Sequence, residues 1–439
     1  MLDIHFIRAN VEQVKAAVAQ KKLTTRVDVD SLLKLDQSLI SERQVYEALL
    51  QQKNAVDTKM KAAKDAEERT ALIEEGKKIK VQAKELEIKV SELEGQLNEL
   101  LLQLPNVTSE RMPVGKSEDE NIVARKWGEP TQFSFTPKDH VELGQHLDII
   151  DCETSGEVSG SRFFYLKGAG VLLQFALVQF VFQTLANKEV IKACADKVGN
   201  PFYHPFVPML PPIMMKPEVM KKMDRLDPLE ERYVFAEDNL VLVGSAEHTM
   251  GSYHMNKLWQ EGELPVRYIG YSTAFRREAG SYGKDVRGIL RVHQFDKMEM
   301  ETFVPVQHGQ VEQDLIVALQ EYIVQQLKIP YQVIQICTGD TGKPDYNQYD
   351  IECWIPAQNR YRETHTSDYM TDFQARRLNI RYKDSAGKNQ YVHMNDATAM
   401  AIPRILIAIL ENYQQEDGSV LVPDVLQPYV GLQRITPIA

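Results

Sequence analysis

The densest group of chemically useful side chains lies between Phe275 and Glu301, in the sequence FRREAGSYGKDVRGILRVHQFDKMEME. A run with the composition of a strand leads into Arg276 and Glu278, and an alternating run that ends at Glu299 follows the loop. The loop carries three glycines and four further cations: Gly280, Gly283, Gly288, Arg277, Lys284, Arg287 and Arg291. Guanidinium groups hold phosphate oxygens, and glycines let a backbone close around them. The segment is suited to binding a triphosphate. A basic hairpin held together by structural ion pairs explains it equally well.

A second group, Tyr361–Arg377 (YRETHTSDYMTDFQARR), combines a carboxylate with nearby hydroxyls. Glu363, Thr364 and Thr366 can hold Mg²⁺ together with substrate phosphates, because Mg²⁺ prefers oxygen ligands. From these residues alone, a structural role for Glu363 is favoured. His365 has no nucleophile to activate, so we interpret it as a bystander in catalysis.

A third group, Val392–Asn412 (VHMNDATAMAIPRILIAILEN), places small residues before Pro403-Arg404 and an apolar helix after them. An arginine at the start of a buried helix needs an anion close to its guanidinium. That anion is either a carboxylate of the chain or a phosphate of a substrate.

The first hundred residues predict long helices. Apolar residues recur at alternating spacings of four and three, the a and d positions of a coiled coil: Leu86, Val90, Leu93, Leu97, Leu100 and Leu104. A second series fits the same register: Leu32, Leu35, Leu39, Tyr46, Leu49, Val56 and Met60. The polar segment Lys61–Arg69 is the natural turn, and Pro105 ends the second helix. We predict an antiparallel helical hairpin with arms of about 35 residues, roughly 50 Å long.

The rest of the chain predicts a mixed α+β domain with antiparallel strands. Residues 111–165 are punctuated by proline and glycine, and residues 166–439 mix long apolar helices with short β-rich runs. These runs do not alternate with helices as βαβ units, and neither GxGxxG nor GxxxxGK[ST] occurs. A nucleotide site of the Rossmann or P-loop kind is therefore not indicated.

The net charge of −11 in 439 residues means that nucleic acid, if bound, must meet a local basic patch. Between Lys53 and Lys89 there are ten Lys or Arg and eight Asp or Glu, a local balance of +2. A solvated helical surface explains this balance better than a phosphate-binding arm, which nevertheless stays open.

Cysteine usage and hydropathy indicate a soluble cytoplasmic protein without a membrane segment. The four cysteines are far apart and form no CxxC pair, so neither zinc nor a disulfide framework is expected. The most apolar stretch, Gly168–Ala186, is interrupted by Gln174, Gln179 and Gln183. A buried helix with one polar stripe explains it better than a membrane span.

The three groups together resemble one family. The segment around Pro211-Pro212, the FRRE loop and the segment before Pro403-Arg404 resemble motifs 1, 2 and 3 of class II aminoacyl-tRNA synthetases, in that order. Over nearly its whole length, the chain resembles the bacterial-type seryl-tRNA synthetase family, through FRREAG, GKDVRG, VHQFDKMEM, DFQARRLNIRY and ILENYQQEDGSVLVPDVLQPY. The resemblance implies a tRNA-binding helical arm at residues 1–110. It also implies a class II catalytic domain at residues 111–439, an antiparallel β-sheet flanked by helices.

The function that the resemblance implies is the ATP-dependent attachment of L-serine to tRNA(Ser) through seryl-adenylate, with release of pyrophosphate and AMP. It extends the expected acceptors to tRNA(Sec). It further implies Mg²⁺ bound with ATP, no zinc, and a homodimer built through motif 1.

The resemblance also assigns site residues by position. The serine site is expected to comprise Ser245, Ala246, Glu247, Arg276, Glu299 and Thr398. The ATP site is expected to comprise Arg276, Arg277, Glu278, Val292, His293, Gln294, Phe295, Glu363, Thr364, His365, Thr366 and Arg404. Glu363 and Thr366 are the expected Mg²⁺ ligands. The expected catalytic set is Arg276, Glu278, Glu363 and Arg404.

The sequence departs from the family pattern near the amino-acid pocket. Ser245 replaces a threonine, His365 and Asp368 stand where serine or cysteine is commoner, and NDAT surrounds Thr398. Because the hydroxyls and Glu299 remain, serine is still the favoured substrate.

Three alternatives differ in class or substrate. A ligase that loads a carrier protein would lack the arm and use a zinc site with cysteine. A non-catalytic paralogue would have lost Arg276, Glu278, Glu363 or Arg404, and all four are present. A synthetase for another amino acid would keep the ATP residues and change the pocket.

Overall fold

The computed structural model describes residues 1–279 and 287–437. The chain divides into two compact units, Met1–Val107 and Thr108–Ala439. The sequence analysis places this boundary three residues later, after residue 110. Gly280, Gly283 and Lys284 of the cationic loop lie outside the described residues.

The first unit consists of helices and their connecting loops: α1 (Ile4–Ala9), α2 (Val11–Gln20), α3 (Val29–Ala62) and α4 (Ala66–Gln103). Asp28 and Asp65 cap the two long helices, because their carboxylates accept from the amides of Asp30 and Glu68. The turn between α3 and α4 lies within the predicted polar segment, and α4 ends just before Pro105.

The helices α3 and α4 pack as the predicted antiparallel hairpin. Val56 of α3 is buried in one cluster with Leu72 and Ile79 of α4. Two ion pairs join the helices, each with an N–O distance of 2.6 Å: Glu42–Lys89 and Arg43–Glu94. The apolar a and d pattern therefore predicted the hairpin correctly.

The second unit carries a large sheet and several short ones. Its strands are β1 (Ile122–Trp127), β2 (Ile150–Asp151), β3 (Tyr165–Leu166), β4 (Val207–Met209), β5 (Met214–Met215), β6 (Val234–Phe235), β7 (Leu240–Leu242), β8 (Leu258–Gln260), β9 (Val266–Phe275), β10 (Gln294–Val304), β11 (Tyr331–Gln335), β12 (Asn347–Ile355), β13 (Arg360–Thr371), β14 (Arg381–Lys383), β15 (Asn389–Tyr391), β16 (His393–Ala401), β17 (Val420–Leu421) and β18 (Arg434–Ile435).

The helices of the second unit are α5 (His140–His146), α6 (Glu153–Ser159), α7 (Ala169–Leu185), α8 (Lys188–Val198), α9 (Pro217–Lys222), α10 (Glu247–Met250), α11 (Gly309–Gln326), α12 (Phe373–Leu378), α13 (Ile402–Asn412) and α14 (Gln427–Val430). Three-residue 3₁₀ turns connect several of these elements.

The main sheet has eight strands in the order β1-β11-β12-β13-β16-β10-β9-β4. Every neighbouring pair is antiparallel except β4 and β9, which are parallel. The predicted α+β class with an antiparallel sheet is confirmed, because long strands close to one another in sequence pair directly.

The helices α7, α11 and α13 share one hydrophobic cluster with the main sheet. On α7, Leu173, Leu177 and Val181 are buried, whereas Gln179 and Gln183 are exposed. The helix is thus largely buried as predicted, but the single polar stripe is wrong, because Gln174 is half-buried and donates to Asp296 at 2.7 Å, and Leu172 and Phe175 are exposed beside the other two glutamines.

No single helix in the described parts of the chain is long and apolar enough to cross a membrane. Among the described helices, α7 and α8 taken together pass that test of length and composition, and the chain bends by 65° between them.

A buried ion pair ties β9 to α11. The side chain of Arg267 is fully buried, and its Nε and Nη2 donate to the two carboxylate oxygens of Glu312 at 2.6 and 2.7 Å. Its Nη1 also donates to the carbonyl of His204 at 2.6 Å. The pair fixes the strand that leads into Arg276.

Removal of one partner should be costly. We expect Arg267→Met to lower the free energy of unfolding by about 3–5 kcal/mol, because Glu312 would keep an uncompensated buried charge. Arg125 makes a matched control, since it pairs with Glu321 of the same helix but its side chain is 48% exposed. Arg125→Met should cost less than about 1 kcal/mol. Urea unfolding measures both values, and equal losses would contradict this interpretation.

Candidate active site

Arg276 follows directly after β9 and lines a cavity in the second unit, where two neighbours hold its side chain. Phe275 pairs with Gln294 at the start of β10, which closes the base of the hairpin. The Nε of Arg276 donates to the carbonyl of Gly244 at 3.1 Å, and its guanidinium lies 5.3 Å from the ring centre of Phe295. The remaining N–H groups of a guanidinium fixed in this way can meet an anion without further ordering.

A bulge in β16 brings two of its residues to the same cavity. The register of β16 against β10 shifts between Met298 and Glu299, so that Ala399 has no counterpart on β10. A bulge changes the alternation of side chains between the two faces of a strand. Thr398 and Ala401, three residues apart, consequently both line the cavity.

A second bulge lies in β13 at Thr364, which has no counterpart on β12. Glu363, Thr364 and Thr366 all line the cavity as a result. His365 is buried, and its Nδ1 lies 2.8 Å from the hydroxyl of Thr364. Burial lowers the pKa of His365 to about 3. This histidine is therefore neutral at physiological pH and does not line the cavity.

The cavity opens where β13 and β16 separate. The two strands pair only from Ser367 and Ala397 onward. At this fork, the buried side-chain amide of Gln320 on α11 donates to the carbonyls of Thr366 and Thr398, each at 2.8 Å. One glutamine thereby pairs two strand carbonyls that lack a partner across the fork.

Arg404 lies in the first turn of α13, after Pro403, a residue that suits the first turn of a helix. Its Nη1 lies 3.0 Å from a carboxylate oxygen of Glu363 and 2.9 Å from the Glu363 carbonyl. Desolvation raises the pKa of Glu363, but Arg404 and Arg276 outweigh it and the pKa is lowered. Arg404 thus has a carboxylate partner and also lines the cavity.

The cavity has a volume of about 610 Å³. Ten of the predicted site residues line it: Glu247, Arg276, Glu278, Val292, Phe295, Glu363, Thr364, Thr366, Thr398 and Arg404. The other predicted residues do not: Ser245, Ala246, Arg277, His293, Gln294, Glu299 and His365.

Among these, Ser245 and Glu299 lie immediately behind the lining, as described next. Arg277 lies with its guanidinium 6.0 Å from the ring centre of Tyr233, and His293 lies 5.4 Å from the ring centre of Phe163.

The closed end of the cavity is organised around the carboxylate of Glu299. One of its oxygens accepts from the hydroxyl of Ser245 at 3.0 Å and from that of Thr398 at 3.2 Å. The same oxygen forms an ion pair with Lys297, which also donates to Ser245 at 3.1 Å. Two hydroxyls and one ammonium therefore converge on one buried carboxylate.

The pKa values of the two carboxyl groups at this end, Glu299 and Glu247, are strongly shifted. Burial, helped by repulsion from Glu247, raises the pKa of Glu299 to about 7 against the attraction of Lys297. Burial also acts to raise the pKa of Glu247, but His248, Lys297 and Arg225 outweigh it and lower that pKa to about 2. Of these two neighbouring carboxylates, Glu247 is therefore the one held ionised.

A row of acidic residues crosses the sheet behind the cavity. Asp396 lies directly opposite Glu301 on one side and Asp368 on the other. Arg225 donates to Asp396 at 2.9 Å. Glu301 is fully buried, and neither of its oxygens has a hydrogen-bond partner among the described residues. Burial and repulsion by Asp396 raise the pKa of Glu301 well above its ordinary value.

Sequence reasoning missed Lys297, Gln320 and Arg225. Lys297 lies two residues from Glu299 on a predicted strand, so strand alternation would have placed both on one face. Gln320 and Arg225 reach the site only through the tertiary fold, and no local pattern marks them.

The residues present suit Mg²⁺ bound together with nucleotide phosphates. Within residues 1–279 and 287–437, no group of three or more His, Cys, Asp or Glu is arranged to hold a metal ion unaided. Mg²⁺ at phosphate sites needs only one or two carboxylates, because phosphates and water supply the other ligands. Glu363 and Thr366 supply such a set of oxygens at the cavity wall.

Comparison with known proteins agrees with this architecture. Residues 233–413 match the tRNA synthetase class II core domain (G, H, P, S and T), and residues 1–108 match the seryl-tRNA synthetase N-terminal domain. The fold is that of a class II aminoacyl-tRNA synthetase.

Among similar proteins, the serine–tRNA ligases of Dictyoglomus thermophilum and Thermobifida fusca are 40% and 39% identical, and both alignments cover 100% of each chain. The seryl-tRNA synthetase from Pyrococcus horikoshii, solved in complex with ATP, is 35% identical and superposes with a TM-score of 0.91 over 100% of both chains. The Naegleria fowleri cytoplasmic serine–tRNA ligase, solved with AMP, is 27% identical, with a TM-score of 0.85 over 100% of this chain and 99% of that one. The chain belongs to the serine–tRNA ligase family, which confirms the predicted family, fold class and enzyme class.

The acidic row predicts a pH-dependent stability. A carboxyl group whose pKa is raised by folding stabilises the protein below its unfolded pKa, and this contribution is lost as the pH rises through the folded pKa. Glu301→Gln has no such group to lose, so the free energy of unfolding of the variant minus that of the wild type should increase as the pH is raised from 5 to 8. Each unit of pKa displacement is worth about 1.4 kcal/mol.

Urea unfolding of both proteins at the two pH values measures the trend. The exposed Glu110 provides a control, because Glu110→Gln should show no such trend. A constant difference between Glu301→Gln and the wild type would contradict the interpretation of the acidic row.

Proposed function

We propose that this chain activates L-serine with ATP and transfers it to the 3′-terminal ribose of tRNA(Ser), with tRNA(Sec) as a further acceptor. The observation that carries the proposal is the convergence of the Ser245 and Thr398 hydroxyls and Lys297 on Glu299, in the fold of a serine–tRNA ligase. A hydroxylated amino acid can join this network of hydroxyls and a carboxylate, whereas an apolar side chain offers it no hydrogen bond.

In the first step, the serine carboxylate attacks the α-phosphorus of ATP, and pyrophosphate leaves. No side chain acts as a base, because the carboxylate is already ionised at neutral pH. Arg276 and Lys297, which donate to Gly244 and Ser245, hold the carboxylate and the α-phosphate in contact. Glu247, the ionised carboxylate, is the partner for the substrate ammonium.

The remaining charged residues serve the phosphates. Arg404 stabilises the negative charge of the outgoing pyrophosphate. Glu278 keeps Arg291 at the cavity wall through a 2.9 Å ion pair. Glu363 and Thr366 would hold Mg²⁺ when ATP is bound. The ion would neutralise part of the phosphate charge.

In the second step, a ribose hydroxyl of the tRNA attacks the adenylate carbonyl, and AMP leaves. The arm α3–α4 binds tRNA through the RNA backbone and the shape of the RNA, which suits the local charge balance of +2 between Lys53 and Lys89. The reaction uses ATP, L-serine and tRNA, needs no zinc, and takes place in the cytoplasm, where these substrates occur.

We also infer a homodimer built on the edge of the main sheet. β4 is the last strand of the sheet, and beside it Leu210 is 75% exposed. On α7, Leu172 and Phe175 are exposed as well. Sedimentation velocity at micromolar concentration should give a dimer that Leu210→Glu weakens, and a wild-type monomer would contradict this inference.

Arg276 provides the most direct test of the activation site. Arg276→Ala should reduce serine-dependent ATP–pyrophosphate exchange by at least about 100-fold, because a fixed cation at the reacting phosphate is lost. Arg276→Lys should retain part of the rate, since it keeps the charge but not the planar fork. Arg111, paired with Asp314 and about half exposed, is the control, and Arg111→Ala should behave as the wild type. Near-normal exchange by Arg276→Ala would refute the assigned role.

The arm can be shortened without disturbing its base. Arg43 and Glu94 face each other across the hairpin, so residues 44–93 can be replaced by a short glycine-rich turn. This variant should keep pyrophosphate exchange within about threefold and lose at least about 100-fold in tRNA charging, since the tRNA contacts reside on the deleted part. Replacing Lys77, Lys78, Lys80 and Lys84 with glutamate should reproduce the loss without shortening. Full charging by the shortened enzyme would remove the arm from the mechanism.

A further inference from the structure

An arginine that the activation chemistry leaves without a role lies on the cavity wall. Arg225 lines the cavity together with Glu247, Lys297 and Thr398, which surround the amino-acid end. Its Nη2 donates to Asp396 at 2.9 Å. Its Nε is buried and has no hydrogen-bond partner in the described parts of the chain. An unpaired buried donor is unfavourable, so a ligand that brings an acceptor to this guanidinium is favoured.

The backbone around Arg225 is held from several directions. The preceding residue, Asp224, has a φ of +61°, and its carboxylate accepts from Lys343 at 2.8 Å and from Arg377 at 3.0 Å. The carbonyl of Arg225 accepts from Arg232 Nε at 2.9 Å. Arg225 therefore starts from a fixed corner after α9, and only 18% of its side chain is exposed.

The neighbourhood of Arg225 also contains an unpaired acceptor. The Oε2 atom of Glu247 is buried and has no hydrogen-bond partner within the described residues. Glu247 lines the same cavity and is close enough to Arg225 for the two charges to influence each other. The Glu247 carboxylate is the partner of the substrate ammonium in the proposed function, so Arg225 is the donor left for the side chain of the amino acid. A hydroxyl oxygen can accept a hydrogen bond from it, whereas a methyl group cannot.

We propose that Arg225, held by Asp396, is a specificity-determining residue of the amino-acid site and donates a hydrogen bond to the side-chain oxygen of the bound amino acid. The proposal rests on the proposed function, because it assumes that an amino acid occupies this end of the cavity. Arg225 would then act together with the two hydroxyls and Glu299 to distinguish serine from alanine.

A purely structural role for Arg225 makes a different prediction. If Arg225 only compensated Asp396 and the adjacent acidic row, its removal would lower stability and leave the preference for serine over alanine unchanged. If Arg225 contacts the side-chain oxygen of serine, its removal instead lowers that preference, because alanine has no side-chain oxygen and loses no contact.

The experiment compares serine- and alanine-dependent ATP–pyrophosphate exchange for Arg225→Met and for Arg225→Met/Asp396→Asn. The double variant removes both charges, so it avoids leaving Asp396 buried without a partner. We expect the ratio of kcat/KM for serine to that for alanine to fall at least about tenfold in both variants, through a higher KM for serine, because a hydrogen bond to a charged donor is lost. The KM for ATP should change by less than about twofold.

Lys343→Met is the matched control. Lys343 supports the same corner through Asp224 but does not line the cavity, so its loss should leave the ratio unchanged. An unchanged ratio in the folded double variant would overturn the inference alone. If the wild-type enzyme activated no serine at all, the proposed function would fall and the inference with it.

Discussion

Carboxylates buried in the centre of a β-sheet are the constraint on which this site depends. Glu299, Glu301 and Asp396 lie on adjacent strands with almost no exposure. Each of these carboxyl groups must therefore either be ionised and paired with a cation or be protonated. Lys297 and Arg225 supply the two cations that contact this group. Both cations also line the cavity, so in the proposed function the charge balance of the sheet and the binding of the amino acid depend on the same two side chains.

The geometry of the site comes from interruptions in the regular pairing of the sheet. Bulges at Thr364 and Ala399 allow residues three apart to reach one cavity, and Gln320 pairs the strand carbonyls where β13 and β16 diverge. A regular sheet would turn alternate residues away, and pairing across the fork would leave no space for a nucleotide. Local irregularity is therefore what converts a structural sheet into a reaction site.

The sequence predicted those features that repeat or that belong to a contiguous motif. The apolar spacing of Leu86–Leu104 predicted the hairpin, and the segment from Phe275 to Glu301 predicted the strand–loop–strand unit with Arg276 and Glu299. Bulges have no periodic signature, so the separation of His365 from the cavity could not be read from its position beside Glu363. Arg225 lies far from every motif in sequence and enters the cavity only through the folded corner after α9.

In the proposed function, Lys297, Glu299 and the hydroxyls of Ser245 and Thr398 select serine for activation. Amino-acid-dependent ATP–pyrophosphate exchange on the purified protein, carried out with each of the proteinogenic amino acids in turn, tests this selection most directly. We expect exchange with serine and only background exchange with the others, alanine and threonine included. Exchange that favours another amino acid, or no exchange with any, would contradict it.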